Sequence, residues 1–184
     1  MTGSANPIQS VAILGAGRVG TAIARALVDA GYQVTLSGPG HPESIELIVS
    51  FTAPGASARW AHDAVADADL TVLALPLHKL ASVNGEVLGG RLVADAMNYW
   101  PPVDGRIPAF EDAPRGTSAV VRDLLGLARL VKTFNHTGYH DLEPDRRETR
   151  NPLRLGMAGA GGLPEALSPC PAGFRSAAMR RPLA

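Results

Sequence analysis

Near the start of the chain, Val11-Ala-Ile-Leu14 is an apolar run of strand length that ends at Gly15. Thr21 to Ala30 follows with Ile23, Ala24, Leu27 and Val28 on one helical face. The spacing predicts a strand and then a helix, which Gly31 closes as a left-handed cap before a second β-rich run, Tyr32–Leu36. After a Gly/Pro-rich loop over 37–42, Pro42-Glu-Ser starts a helix carrying Ile45, Leu47, Ile48 and Phe51, which Pro54-Gly55 stops. Ala58–Trp60 predicts a short strand, Ala61–Ala66 a brief helix, Leu70–Leu75 a continuously apolar strand, and Pro76 the start of another helix. Arg91–Met97 predicts a fifth strand, Ser118–Leu125 a helix and Leu130–Phe134 a sixth strand. Strands apolar on both faces, separated by helices, indicate an α/β fold with a parallel sheet covered on both sides.

Composition adds little until it is divided along the chain. The 184 residues have room for one domain and an appendage, and 46% hydrophobic with 18% charged residues is ordinary globular usage. The lone Cys170 allows no intrachain disulfide and no cysteine-based zinc site, which fits a reducing compartment. No apolar run is long enough to span a membrane and no basic start precedes the first one, so the expectation is a soluble, cytoplasmic protein. The 17 basic and 17 acidic side chains cancel, leaving no overall positive field to hold nucleic acid. Residues 1–148, however, hold 12 Lys or Arg against 16 Asp or Glu, whereas 149–184 hold 5 against 1. That second segment contains 5 Gly, 5 Pro and one aromatic, Phe174, and shows no useful periodicity. Two parts follow: a folded domain over 1–148 and a basic Gly/Pro-rich tail over 149–184. The tail reads as disordered, truncated or frame-altered, since 15 Arg against 2 Lys suggests GC-rich coding.

The chemistry begins at Gly15-Ala16-Gly17-Arg18-Val19-Gly20, a G-x-G-x-x-G set directly between predicted strand and predicted helix. In that context the first glycine permits a tight turn, the second lets backbone approach a pyrophosphate, and the third brings helix and strand together. The helix N-terminus then faces the anion. The fold class is therefore a Rossmann-type doubly wound sheet. A carboxylate that would hold the adenosine ribose of NAD is expected about 20 residues further on. Ser37-Gly38 stands there instead, and the next acid, Glu43, is already in the following helix. This favours NADP, with NAD still allowed, and makes Ser37 a hydroxyl donor and Arg18 or His41 candidate cations.

With these residues in hand, the chain resembles the NADP-dependent oxidoreductases of the coenzyme F420 type. The resemblance lies in Val11–Gly31, Val72-Leu-Ala-Leu-Pro76, Leu92-Val-Ala-Asp-Ala-Met-Asn98 and Leu130-Val-Lys-Thr-Phe-Asn-His136, and covers about residues 8–148. It implies hydride transfer between NADP and the deazaflavin F420 as co-substrate. Two departures are visible. The family often carries a Ser-Arg pair where this chain has Ser37-Gly38, and residues 149–184 do not follow the family pattern.

Further candidates follow the predicted strands, where open parallel sheets bind ligands. Leu75, Pro76 and Leu77 are expected to contact the nicotinamide half through backbone, with His78 either beside it or simply a solvated helix residue. Met97 and Asn98 are placed at the cofactor, Asn98 as a hydrogen-bonding partner. Tyr99 and Trp100 could stack on a flat substrate, the alternative being a rigid Pro-Pro loop whose Trp100 covers the core. Asn135 and His136 are the catalytic candidates, His136 as substrate-orienting donor or proton source, the alternative being a hydrogen-bonded structural histidine. Gly138 argues against reading His136 and His140 as a metal pair. Asp95 reads as a buried, backbone-bonded carboxylate. Three functions remain open: an oxidoreductase passing hydride between NADP and a second flat redox cofactor, a nucleotide-binding module without catalysis, and a small-molecule dehydrogenase. The partner in each case is a small molecule, and a homodimer is one way to complete the crevice.

Overall fold

The computed structural model describes residues 8–127 and 129–134, together with the backbone of strands at 156–160 and 177–178. Six parallel strands form the body of the sheet: β1 (Ser10–Leu14), β2 (Gln33–Ser37), β3 (Ser57–Ala58), β4 (Leu70–Leu73), β5 (Leu92–Asp95) and β6 (Arg129–Lys132). Their spatial order is β3-β2-β1-β4-β5-β6, so chain direction across the sheet reverses between β1 and β4. In a doubly wound sheet that switch opens a crevice beyond the strands' carboxyl ends.

The helices follow from sequence signals. α1 (Arg18–Asp29) ends where Gly31 adopts φ +89°, and the Gly31 and Tyr32 N–H groups bond back to the Val28 and Leu27 carbonyls. α2 (Glu43–Thr52) carries Glu43 and Glu46 in its first turn, where the helix dipole favours them. It buries Ile45 and Val49, while Leu47, Ile48 and Phe51 lie exposed. α3 (Ala61–Ala66) coincides with the predicted brief helix. Pro76 precedes a 3₁₀ helix (Leu77–Ser82), followed by α4 (Gly85–Leu88). The Pro-Pro segment after β5, whose alternative reading was a rigid loop, is a helical turn, α5 (Pro101–Asp104), because proline suits the first helical positions. α6 (Pro108–Glu111) and α7 (Thr117–Leu125) complete the set.

Alternation along β1 divides the core. Val11 and Ile13 pack with Ile23, Leu36, Val49 and Val72 on one face, and Ala12 and Leu14 with Val65, Leu73, Val93 and Val121 on the other. Three predicted strands run too long. β4, β5 and β6 stop two residues before Leu75, Met97 and Phe134, which leave the ladder to line the carboxyl edge and whose apolar character reflects packing, not pairing. Trp60 likewise belongs to no strand; β3 ends at Ala58, and Trp60 caps α3.

Two strands that periodicity does not predict occur in the tail. β7 (Gly156–Ala160) pairs antiparallel with β6, and β8 (Ala177–Ala178) pairs parallel with β7. The rest of 149–184, and the expectation of disorder attached to it, lies outside the described residues.

Candidate functional site

The three glycines of the turn are required for different reasons. Gly15 has φ +124°, and a Cβ there would overlap the Ala74 carbonyl and lie 3.1 Å from the Leu75 nitrogen. Its N–H donates to the Ser37 carbonyl at 2.8 Å, tying the turn to the end of β2. A Cβ on Gly20 would overlap the Gly15 carbonyl. Gly17 differs from both: its φ of −85° suits any residue, and a Cβ would meet nothing within 4 Å. The fold thus demands glycine at 15 and 20 but not at 17, where the open space lies directly over backbone. Gly17 is also the N-cap of α1, whose first turn has no capping side chain and no acid, so the helix's positive end is left for an anion. Arg18 is exposed beside it, with Ala16 and Val19 half-buried. A pyrophosphate fits this cradle.

At the end of β2, Ser37 is buried. A Cβ on Gly38 would stand 2.7 Å from the Ile45 methyl, so the arginine that the Ser-Arg pattern would place here would require Ile45 on α2 to shift. The loop then brings His41 edge-on to Trp60, ring centroids 5.0 Å apart. His41 Nδ1 lies 3.7 Å from Glu43 Oε2, and both side chains are largely exposed. The Arg59 N–H bonds the Leu36 carbonyl and its guanidinium pairs with Asp67 at 2.7 Å. Sequence reasoning gave Trp60 and Arg59 no place at the site; it set both inside the short strand predicted over Ala58–Trp60.

Across the switch, Leu75 is half-buried and Leu77 is buried in the core, leaving backbone at the crevice. His78 is no simple solvated residue. Its N–H and its Nδ1 both reach Asp104 Oδ1 at 3.2 Å, while Asp104 Oδ2 accepts from the Trp100 N–H at 2.9 Å. The Asp104 side chain is 2% exposed and that of His78 38%. Burial pushes Asp104 upward, but the donors from Trp100 and His78 and the charge of the imidazole outweigh it and hold the carboxyl below its ordinary range. One buried carboxylate thereby joins the loop after β4 to the loop after β5. No sequence spacing announces this pair, which forms across 26 residues.

Tyr99 and Trp100 separate. Tyr99 tilts against Phe110 at 5.8 Å, donates its hydroxyl to the Gly105 carbonyl and accepts from the Ile107 N–H, so it holds the loop. Trp100 is 62% exposed and does not cover the core. Asn98 is exposed beside it and Met97 is buried. Asp95 is a buried structural carboxylate, accepting from the Met97 N–H at 2.9 Å, from Ser118 at 2.6 Å and from Lys132 at 3.3 Å. Asn135 and His136 lie outside the described residues. Among the described residues no cluster of three metal-ligating side chains occurs, and no helix is long and apolar enough to cross a membrane.

Residues 10–99 match the family model described as NADP oxidoreductase coenzyme F420-dependent, which bears out the resemblance over those residues. No curated protein matches the chain. Among solved structures, a hypothetical protein from Sinorhizobium meliloti is 25% identical with a TM-score of 0.72, over 92% of this chain and 83% of that one. A protein from Arthrobacter sp. FB24 assigned as an F420-dependent NADP-reductase is 22% identical with a TM-score of 0.65, over 83% and 74%. An imine reductase from Pseudomonas sp. is 21% identical with a TM-score of 0.51, over 81% and 46%. The shared feature is the Rossmann-like fold.

Proposed function

We propose, from a nucleotide-binding half that matches an NADP oxidoreductase family, that this protein is an NADP-dependent oxidoreductase passing hydride between NADP(H) and a second flat redox molecule, the deazaflavin F420. The observation that carries the reading is Gly17, a glycine that neither backbone angle nor packing requires and whose missing side chain keeps backbone open. Gly15 through Gly20 hold the pyrophosphate. Ser37, Gly38 and His41 receive the 2′-phosphate side, and Trp60 walls the adenine. Leu75 to Leu77 with Met97 and Asn98 flank the nicotinamide, and Trp100 offers a face for the second ring. Bound NADPH supplies the hydride; the protein aligns two rings and keeps water away from them. The F420 assignment draws support from the family description and from the assignment of the Arthrobacter protein.

The test begins with Gly17→Val, whose isopropyl group would fill the open space. The variant folds with a melting temperature near wild type and loses NADPH binding by titration. A folded variant with unchanged affinity refutes the cofactor assignment. Anaerobic mixing of wild type with NADPH and oxidised F420, followed by loss of the deazaflavin absorbance, then tests the partner.

A further inference from the structure

We infer that His78, held by Asp104, is the proton donor to the acceptor molecule, and that the acceptor contains a C=N bond, taking hydride at carbon and a proton at nitrogen. The inference rests on the oxidoreductase reading above and adds to it the group that balances the charge of the transfer.

His78 stands one residue past the Leu75–Leu77 backbone, and Leu75 abuts the glycine turn, since a Cβ on Gly15 would reach its nitrogen. The ring is thus on the β4 side of the switch, opposite the Ser37 end. An ionised carboxylate can only accept, so Asp104 fixes the proton of Nδ1 in its direction. Among the described residues no hydrogen bond engages Nε2, and the side chain is 38% exposed. Nε2 is therefore the atom available to a bound molecule, in reach of water for reprotonation. The same Asp104 holds the Trp100 N–H, so the imidazole and the exposed indole are fixed relative to each other around one anchor. The only ion-pair partner of His78 among the described residues is Asp104, and the neighbouring Lys79 is exposed.

The balance is simple. Two electrons and one hydrogen pass from NADPH to the acceptor carbon as hydride; the C=N π pair moves onto nitrogen and takes the Nε2 proton. NADP⁺, the reduced acceptor and neutral His78 result, and water returns the proton. A deazaflavin and a simple cyclic imine both satisfy this chemistry. His78 would be a catalytic residue and Asp104 a positioning residue.

The experiment compares wild type, His78→Gln and Asp104→Asn. NADPH affinity stays within about twofold in both variants, which also reports folding. Positioned proton transfer contributes about a hundredfold or more, so single-turnover reduction of oxidised F420 or of a cyclic imine falls by that order in His78→Gln. The wild-type decline in rate with rising pH is lost. Nitrogen-15 spectra of the histidine rings give a readout apart from turnover. The His78 signals move when acceptor is added to NADP⁺-loaded protein, and the Nδ1–H tautomer is lost in Asp104→Asn. The acceptor reduced by wild type distinguishes deazaflavin from imine. Turnover and pH profile unchanged in His78→Gln overturn the role of the dyad alone. A wild type that binds NADPH but reduces neither acceptor overturns the redox reading and the dyad's role together.

Discussion

In the proposed reading, coenzyme choice falls to single residues at the end of β2. Ser37 is buried as the last ladder residue, and Gly38 is packed against Ile45, which would have to shift to admit an arginine. Selectivity for a phosphate must then come from the absence of a carboxylate and from the His41 side of the loop. Ser37→Asp introduces a negative charge where the 2′-phosphate is expected. Two charges about 4 Å apart near a protein surface interact by about 4 kcal/mol, so NADPH affinity falls at least roughly tenfold more than NADH affinity. Parallel titrations with both coenzymes check this, and equal losses would place the adenosine ribose elsewhere. The glycine turn was legible in the chain, because G-x-G-x-x-G between strand and helix is a local pattern. The His78–Asp104 pair was not, because a hydrogen bond across 26 residues leaves no trace in spacing.

Elements are held in register by carboxylates as well as by apolar faces. Asp95 joins β5 to α7 through Ser118 and to β6 through Lys132, whose ammonium also bonds the Met97 carbonyl. Removing one partner of a buried pair leaves the other charged and uncompensated, at a cost of about 3–5 kcal/mol. Asp95→Asn destabilises by that order in denaturant unfolding, and adding Lys132→Met recovers part of the loss; additive losses would mean the pair is not coupled. At the opposite end of the sheet Asp69 accepts from the Gln9 and Ser10 N–H groups and the Ser10 hydroxyl, fixing β1 beside β4. Those bonds lower its pKa from the ordinary value. A depressed carboxyl contributes stability above its unfolded pKa of about 3.9, and the contribution disappears as pH falls through the lower folded value. Asp69→Asn therefore narrows the gap in melting temperature between pH 6 and pH 3, and an unchanged gap would remove Asp69 from the acid response. The order of strands and helices was readable from apolar runs and glycine stops. Their ends were not, since Leu75, Met97 and Phe134 are as apolar as strand residues yet serve the crevice edge. Phe134 even adopts φ +57°, a left-handed conformation unusual for a bulky residue.

The whole molecule combines a body and a tail of opposite charge, −4 over 1–148 and +4 over 149–184. All proposed cofactor contacts lie between Gly15 and Trp100, and the six strands of the parallel body, β1 to β6, lie upstream of residue 149. Deleting 149–184 therefore leaves the pyrophosphate cradle in place. It also strips β6 of its antiparallel partner, since Leu130, Val131 and Lys132 pair with Ala160, Gly159 and Ala158. The exposed edge lowers the melting temperature and favours association between copies, as unpaired strands do. The truncated body carries its −4 unopposed, and NADPH is an anion, so its affinity falls at low ionic strength. Screening over about 8 Å at physiological salt brings the affinities of full and truncated chains together, within about twofold. Titrations across salt concentration, with melting temperature and mass in solution measured on both chains, separate the effects. A loss of NADPH binding that persists at high salt would place part of the tail in the cofactor site and move the boundary of the nucleotide-binding unit past residue 148.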